Sequence, residues 1–177
     1  MLPSEVVRFW REAGSGKWFG KDPAFDAEFR ERFLTAHELA ASDGLDMWAV
    51  TAEGALALLI LLDQFPRNAF RDTARMFATD AKARDVASAA VERGQDGQVE
   101  EALRSFVYLP FEHSEQLADQ DRSVALFQPL GEELLKWAVM HRDIIVKFGR
   151  FPHRNEILGR ESTPEEIAFL KSGGFAG

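Results

Sequence analysis

Cysteine is absent from this chain, which excludes disulfides, thiolate nucleophiles and cysteine-ligated zinc. Alternating runs of Val, Ile and Thr are also missing, so no sheet is expected. Basic charge is scarce: 21 Lys and Arg stand against 29 Asp and Glu, for a formal net charge of −8. An acidic surface repels nucleic acid and anionic membrane, and no dense Lys/Arg run offsets it, so neither partner is expected. The longest apolar stretch, Gly54 to Leu62, is about half of what a bilayer span needs. Met1 to Arg11 meets charged residues at once and has no apolar signal-peptide core, so a cytoplasmic location is expected. Cofactor motifs fail too. Gly14-Ser15-Gly16-Lys17 lacks the first glycine of a phosphate loop and has Trp18 where Ser or Thr would hold magnesium. Gly20 falls one residue beyond dinucleotide spacing. No cofactor is expected.

The 177 residues suffice for a single helical domain over 1–177, with about 172–177 as a flexible tail. Fifteen Phe and four Trp against one Tyr point to a core of large rings without hydroxyls. Nearly every segment reads as helix. One starts at Pro3-Ser4 and stops at Gly14. Asp22 caps a second with Pro23 at its first position, and Phe25, Phe29, Phe33 and Ala36 recur at helical spacing. His37 reads as a polar residue on that helix. Thr51 caps a third that runs to Leu62, apolar on all sides and therefore central. A fourth spans about Asp72 to Arg93, and a fifth runs from Gln98 to Tyr108, stopped by Pro110. A sixth follows Glu112 and turns Leu117, Val124 and Phe127 inward. Glu132 to Phe148 carries Leu135, Val139, Ile145 and Phe148 near one side and ends at Gly149. Thr163-Pro164-Glu165-Glu166 is a capping box that opens the last helix. Short links favour antiparallel neighbours, so the expected fold is all-α, built of stacked antiparallel helical hairpins.

Chemistry concentrates in repeated polar motifs. Phe65-Pro66-Arg67-Asn68 returns, one residue longer, as Phe151-Pro152-His153-Arg154-Asn155. Each copy follows an apolar helical run and opens with a helix-breaking proline, so both are expected as loops at helix ends. Arg67, Asn68, Arg150, His153, Arg154 and Asn155 then form a candidate site for a small anionic ligand or a peptide carboxylate, because guanidinium grips oxyanions in a fork. An enzymatic alternative uses His113 or His153 as general acid or base, tuned by Glu115. The third reading is structural: the arginines tie helix ends to acids such as Asp63, Glu112, Glu115 and Asp143. Glu112 and Glu115 share a helical face while His113 points about 100° away, and zincin and EF-hand spacings are absent, so no metal site is expected.

Several long motifs carry a resemblance. Asp63-Gln64-Phe65-Pro66-Arg67-Asn68, Leu109-Pro110-Phe111-Glu112-His113-Ser114-Glu115, His141-Arg142-Asp143 and Phe148-Gly149-Arg150-Phe151-Pro152-His153-Arg154-Asn155 resemble an uncharacterised bacterial family, domain of unknown function 924. Ser162-Thr163-Pro164-Glu165-Glu166 and the spacing of Trp10, Trp18-Phe19 and Trp48 fit it as well, so the likeness extends from about Phe9 to Leu170. The resemblance implies an all-helical fold grouped with tetratricopeptide-like superhelices, although no repeat of about 34 residues is readable here. It implies no activity. Asp72 stands where the family commonly has glycine, and Glu112 where it often has methionine. A role shared across the family would use His113, Glu115, His153 and Arg154.

Overall fold

The computed structural model describes residues 1–177, all helix and connection with no strand. It divides into two compact units, Met1–Arg71 with Arg75–Pro110, and Asp72–Ala74 with Phe111–Gly177. No helix is long and apolar enough to cross a membrane.

The first unit holds α1 (Pro3–Ala13), α2 (Ser15–Trp18), α3 (Pro23–Ala41), α4 (Ala52–Leu59), α5 (Phe65–Ala69) and α6 (Asp80–Glu92). α7 (Glu101–Glu112) lies in this unit up to Pro110. The Asp22 carboxylate accepts from the N–H groups of Ala24 and Phe25, and the Thr51 hydroxyl accepts from Gly54 N–H, so both expected N-caps are made. α4 is buried on every side, with α1 and α6 packed against it. Its entry requires glycine: a Cβ at Gly54 would lie 2.0 Å from the Trp48 carbonyl oxygen. Around α1 and α3 the rings interlock, with Phe9 stacked on Phe25 at 5.4 Å and Phe29 edge-on to Phe65 at 5.1 Å.

The first FPRN copy is not a loop. The chain passes from α4 through a π-helical turn, Ile60–Gln64, directly into α5, and Pro66 sits in helix. The π-turn is what accommodates the proline. Phe65 N–H reaches back five residues to Ile60 O, so Leu61 O loses its usual donor, and Pro66 has no N–H to offer Leu62 O. Both carbonyls are buried and both find side chains. His37 Nδ1 lies 2.9 Å from Leu61 O, which puts the ring proton on Nδ1, and Thr79 Oγ1 donates to Leu62 O at 2.5 Å. His37 stacks on Phe65 at 4.8 Å and is 5% exposed. A histidine that reads as an ordinary polar residue is thus the donor that keeps the turn satisfied.

Pro110 also lies inside a helix rather than ending one, since α7 continues to Glu112. Burial outweighs the roughly 3 kcal/mol that an interior proline costs: Phe106, Val107, Tyr108, Leu109 and Phe111 are each under 9% exposed. α6 begins later than the expected Asp72, because a short 3-10 turn, Ala74–Phe77, precedes it.

The second unit holds α8 (Leu117–Phe127), α9 (Glu132–Phe148) and α10 (Pro164–Lys171). α8 packs against α9 across a short link. The inward faces differ from the sequence pattern. α8 buries Gln120, Ser123 and Phe127 and leaves Leu117 exposed; α9 buries Ala138, His141, Ile144 and Ile145 and leaves Val139 exposed. Gln120 turns inward because its amide donates to the carbonyls of Glu112 and Ser114, both at 2.7 Å, closing the end of α7. Gly149 ends α9 in the left-handed conformation, φ 70°, as expected. Asp72 is left-handed too, at φ 59°, which is a reason for a glycine at that position.

His37 sets a pH limit on the first unit. Burial holds its ring below the ordinary value of 6.5, against the opposing hydrogen bond to Leu61. The unfolded chain takes up a proton near 6.5 that the folded ring resists to lower pH. Stability is therefore complete above 6.5 and falls as the pH drops below it. His37→Phe should flatten this slope in urea melts between roughly pH 5 and 7.5. At neutral pH it should cost about 1–3 kcal/mol, because buried Leu61 O loses its donor.

Candidate functional site

The polar motifs fall in both units. In the first, Arg67 forms two hydrogen bonds to Asp80, Nη1 to Oδ1 at 2.9 Å and Nη2 to Oδ2 at 3.1 Å. Its Nη1 also donates to Asp63 O at 2.7 Å and lies 3.2 Å from Asp63 Oδ1, where the carboxylate is almost fully buried. Asn68 donates to Asp26 Oδ1 at 2.8 Å, and Arg71 grips the same carboxylate at 2.6 and 3.2 Å. The helical placement of FPRN explains this set. Arg67, one turn after Asp63, meets that side chain as an i,i+4 pair and reaches Asp80 beyond it.

In the second unit the FPHRN copy is a short 3-10 turn, Pro152–Arg154, as the loop expectation requires. Arg150 donates from Nε to Glu166 Oε1 at 2.7 Å and from Nη2 to Oε2 at 2.9 Å, and Nη2 also reaches Glu161 O at 2.7 Å. Arg154 Nη2 donates to His113 O at 3.0 Å, and its guanidinium lies 4.5 Å over the Phe151 ring. Asn155 donates to Ser162 Oγ and to Glu166 Oε2. The second unit therefore gathers Arg150, His153, Arg154 and Asn155 with His113 and Glu115, while Arg67 and Asn68 belong to the first.

Arg160 is the member that sequence reasoning missed. It lies outside both repeats, yet it clasps Glu115 through Nη1 at 2.8 Å and Nη2 at 3.0 Å and donates from Nε to Asn155 at 3.0 Å. Phe151 N–H donates to the same Glu115 at 2.8 Å. Burial alone would raise the Glu115 carboxyl, but the hydrogen bonds from Arg160 and Phe151 and the charges of Arg160 and Arg154 outweigh it. Glu115 thus titrates below the ordinary carboxylate range and is an anion at neutral pH, not a proton donor. Ser114 is engaged as well: its hydroxyl donates to Asp119 at 2.6 Å and accepts from Gln116 N–H.

His141, from the His141-Arg142-Asp143 motif, joins this group. Its Nδ1 lies 2.9 Å from Trp137 O and 3.4 Å from Glu112 Oε1, with both side chains under a tenth exposed. Its ring meets Phe151 edge-on at 5.6 Å, and His153 lies 5.7 Å from the same phenylalanine. Phe175, near the C-terminus, packs edge-on against His141 at 4.6 Å and His153 at 5.2 Å. Two histidines thus pack on Phe151, and one of them, His141, lies beside Glu112, although no group of three His, Cys, Asp or Glu has metal-binding geometry.

Against known proteins, residues 6–174 match the model of a family described as bacterial protein of unknown function, domain of unknown function 924. The chain belongs to this family. A solved structure of a protein of unknown function from Agrobacterium tumefaciens is similar to this family member over 97% of each chain, with 55% identity and a TM-score of 0.95. No curated protein matches. The resemblance drawn from the motifs and its all-helical expectation both hold for this chain, and the function of the family is unknown.

The capping box ties the site to the stability of α10. The hydrogen bond from Arg150 is the largest influence on Glu166 and, with Thr163 N–H and Asn155 and against burial, pushes its carboxyl down to about 2. A depressed carboxyl contributes stability above its unfolded value near 4.5, which is lost as pH falls from there toward 2. Glu166→Gln should remove part of this acid limb in denaturant melts. Thr163→Ala should cost about 1 kcal/mol at every pH through the lost cap.

Proposed function

We propose that this chain is a helical binding module in which the arginines of the two FP motifs act as internal clamps. The observation that carries the reading is that each guanidinium already has an acceptor inside its own unit: Arg67 has Asp63 and Asp80, Arg150 has Glu166, and Arg154 has the His113 carbonyl. An anion placed at Arg67 or at Arg150 would have to displace a carboxylate already held in a two-pronged pair. Ligand recognition then falls to surfaces outside the FP motifs. The anionic-ligand reading of these arginines is the competing account, and both make opposite statements about stability.

Arg67→Met should cost about 3–5 kcal/mol, because it leaves two largely buried carboxylates without their cation. Arg154→Met should cost about 1–3 kcal/mol through the partly buried carbonyl it abandons. Thermal scans with and without phosphate or acetate decide. If both variants melt like the parent chain but lose an anion-induced shift, the arginines are ligand groups and the clamp reading is wrong.

One observation favours a second reading, acid–base catalysis: the buried Glu112 carboxylate lies beside His141, whose ring shares Phe151 with His153. Any activity of that kind would show a pH limb in the histidine range and would vanish in His141→Gln.

A further inference from the structure

The second unit has an open groove of about 490 Å³ along α9. Its floor and walls are Val139, Met140, Ile144, Phe148, Phe169 and Phe175. The α9 members recur at three- and four-residue spacing and so form one stripe along the helix. None of the network's arginines lines this groove.

The wall opposite α9 is built by a specific chain reversal. After α10, Gly173 is left-handed at φ 85°; its N–H donates to Leu170 O at 3.3 Å, and Gly174 N–H donates to Phe169 O at 3.0 Å. This paired pattern is a Schellman motif, and it sends the chain back along the helix it has just left. A Cβ at Gly174 would stand 2.6 Å from both Phe169 Cζ and Phe169 O, so only glycine fits. The reversal delivers Phe175 to the rings of His141 and His153, which hold it as the groove's edge.

The charges around this apolar stripe are uneven. Lys136 and Lys147 line it and lie roughly 16 Å apart along the helix, at about 1.5 Å per residue. Lys147 is placed 4.9 Å over Phe148 and 5.7 Å from the Phe169 ring centre rather than against a carboxylate, and Lys136 is exposed at the other end. The one acid in the lining, Asp143, is exposed between them, 4.0 Å from Arg142. In a chain of net charge −8, this is an apolar channel with a cation at each end.

We propose that the α9–α10 groove binds an amphipathic anion of small size, a medium-length apolar chain ended by a carboxylate. This rests on the binding-module reading and names its ligand class. The apolar body lies on Val139, Met140 and Ile144 between Phe169 and Phe175, and the carboxylate meets Lys136 or Lys147. The groove's volume is that of a small-molecule site, which lies between roughly 300 and 1,000 Å³, and not that of the much broader surface a folded partner covers.

The test is calorimetric titration of the full chain with decanoate and, as a neutral match, decanol. Decanoate should bind the parent chain more tightly than decanol. The double variant Lys136→Glu/Lys147→Glu, exposed and not part of any ion pair, should weaken decanoate by roughly tenfold and leave decanol unchanged. Val139→Asp should weaken both ligands, and Phe175→Ala should do so by removing the wall. Equal decanoate affinity in the parent and the charge-reversed chain would overturn the proposal. So would binding of an acidic amphipathic peptide with no binding of decanoate. Neither result touches the clamp reading, which is judged from the melting of the arginine variants alone.

Discussion

A buried carbonyl that loses its helical N–H must find another donor, and much of the polar interior of this chain answers that requirement. Pro66 creates the need in the first unit. The π-turn before it frees Leu61 O and Leu62 O, and His37 and Thr79 come from α3 and from the start of α6 to meet them. In the second unit the end of α7 makes the same demand. Gln120 answers at Glu112 O and Ser114 O, and Arg154 at His113 O. Each donor is a side chain that reaches a backbone group on another element. These bonds therefore join elements together as well as satisfying single atoms.

Charge follows the same logic. The buried acids Asp63 and Glu166 are stable as anions only where a cation and further donors share the site. Arginine serves better than lysine there, because its fork can hold both carboxylate oxygens while a remaining N–H reaches a carbonyl. Arg67 does this with Asp80 and Asp63 O, and Arg150 with Glu166 and Glu161 O. The acids thereby fix where the arginines point, and the loops and helices that carry them are positioned in turn.

Features set by a few adjacent residues were legible in the sequence. Asp22 with Pro23, Thr51 before α4, Gly149 after α9 and the Thr163–Glu166 capping box each depend on local backbone geometry, and each is formed as read. The central position of α4 followed from its unbroken apolar composition. What failed was the placement of several residues whose partners are distant in sequence. Pro66 and Pro110 read as helix breakers because nothing nearby shows the carbonyl donors or the burial that tolerate them. Gln120 carried no signal because its acceptors lie at the end of the preceding helix. Arg160 carried no motif at all. Its role with Glu115 exists only because the turn after Asn155 brings residues 45 positions apart together. For the candidate site, then, the residue types and the FPHRN loop were readable and the pairing that commits them was not.

That failure has a physical consequence for the surface. Hydrophobic spacing places Val139 inside α9, yet His141 must face inward to reach Glu112 and Phe151, and a helix has only one inward face. Rotating α9 to bury His141 with Ala138 and Ile145 turns Val139 outward, and Lys136 and Lys147 remain exposed along the flank. The polar groups taken inside are thus matched by apolar groups put outside. The groove on α9 is, on this argument, the outer counterpart of the histidine and carboxylate held in the core.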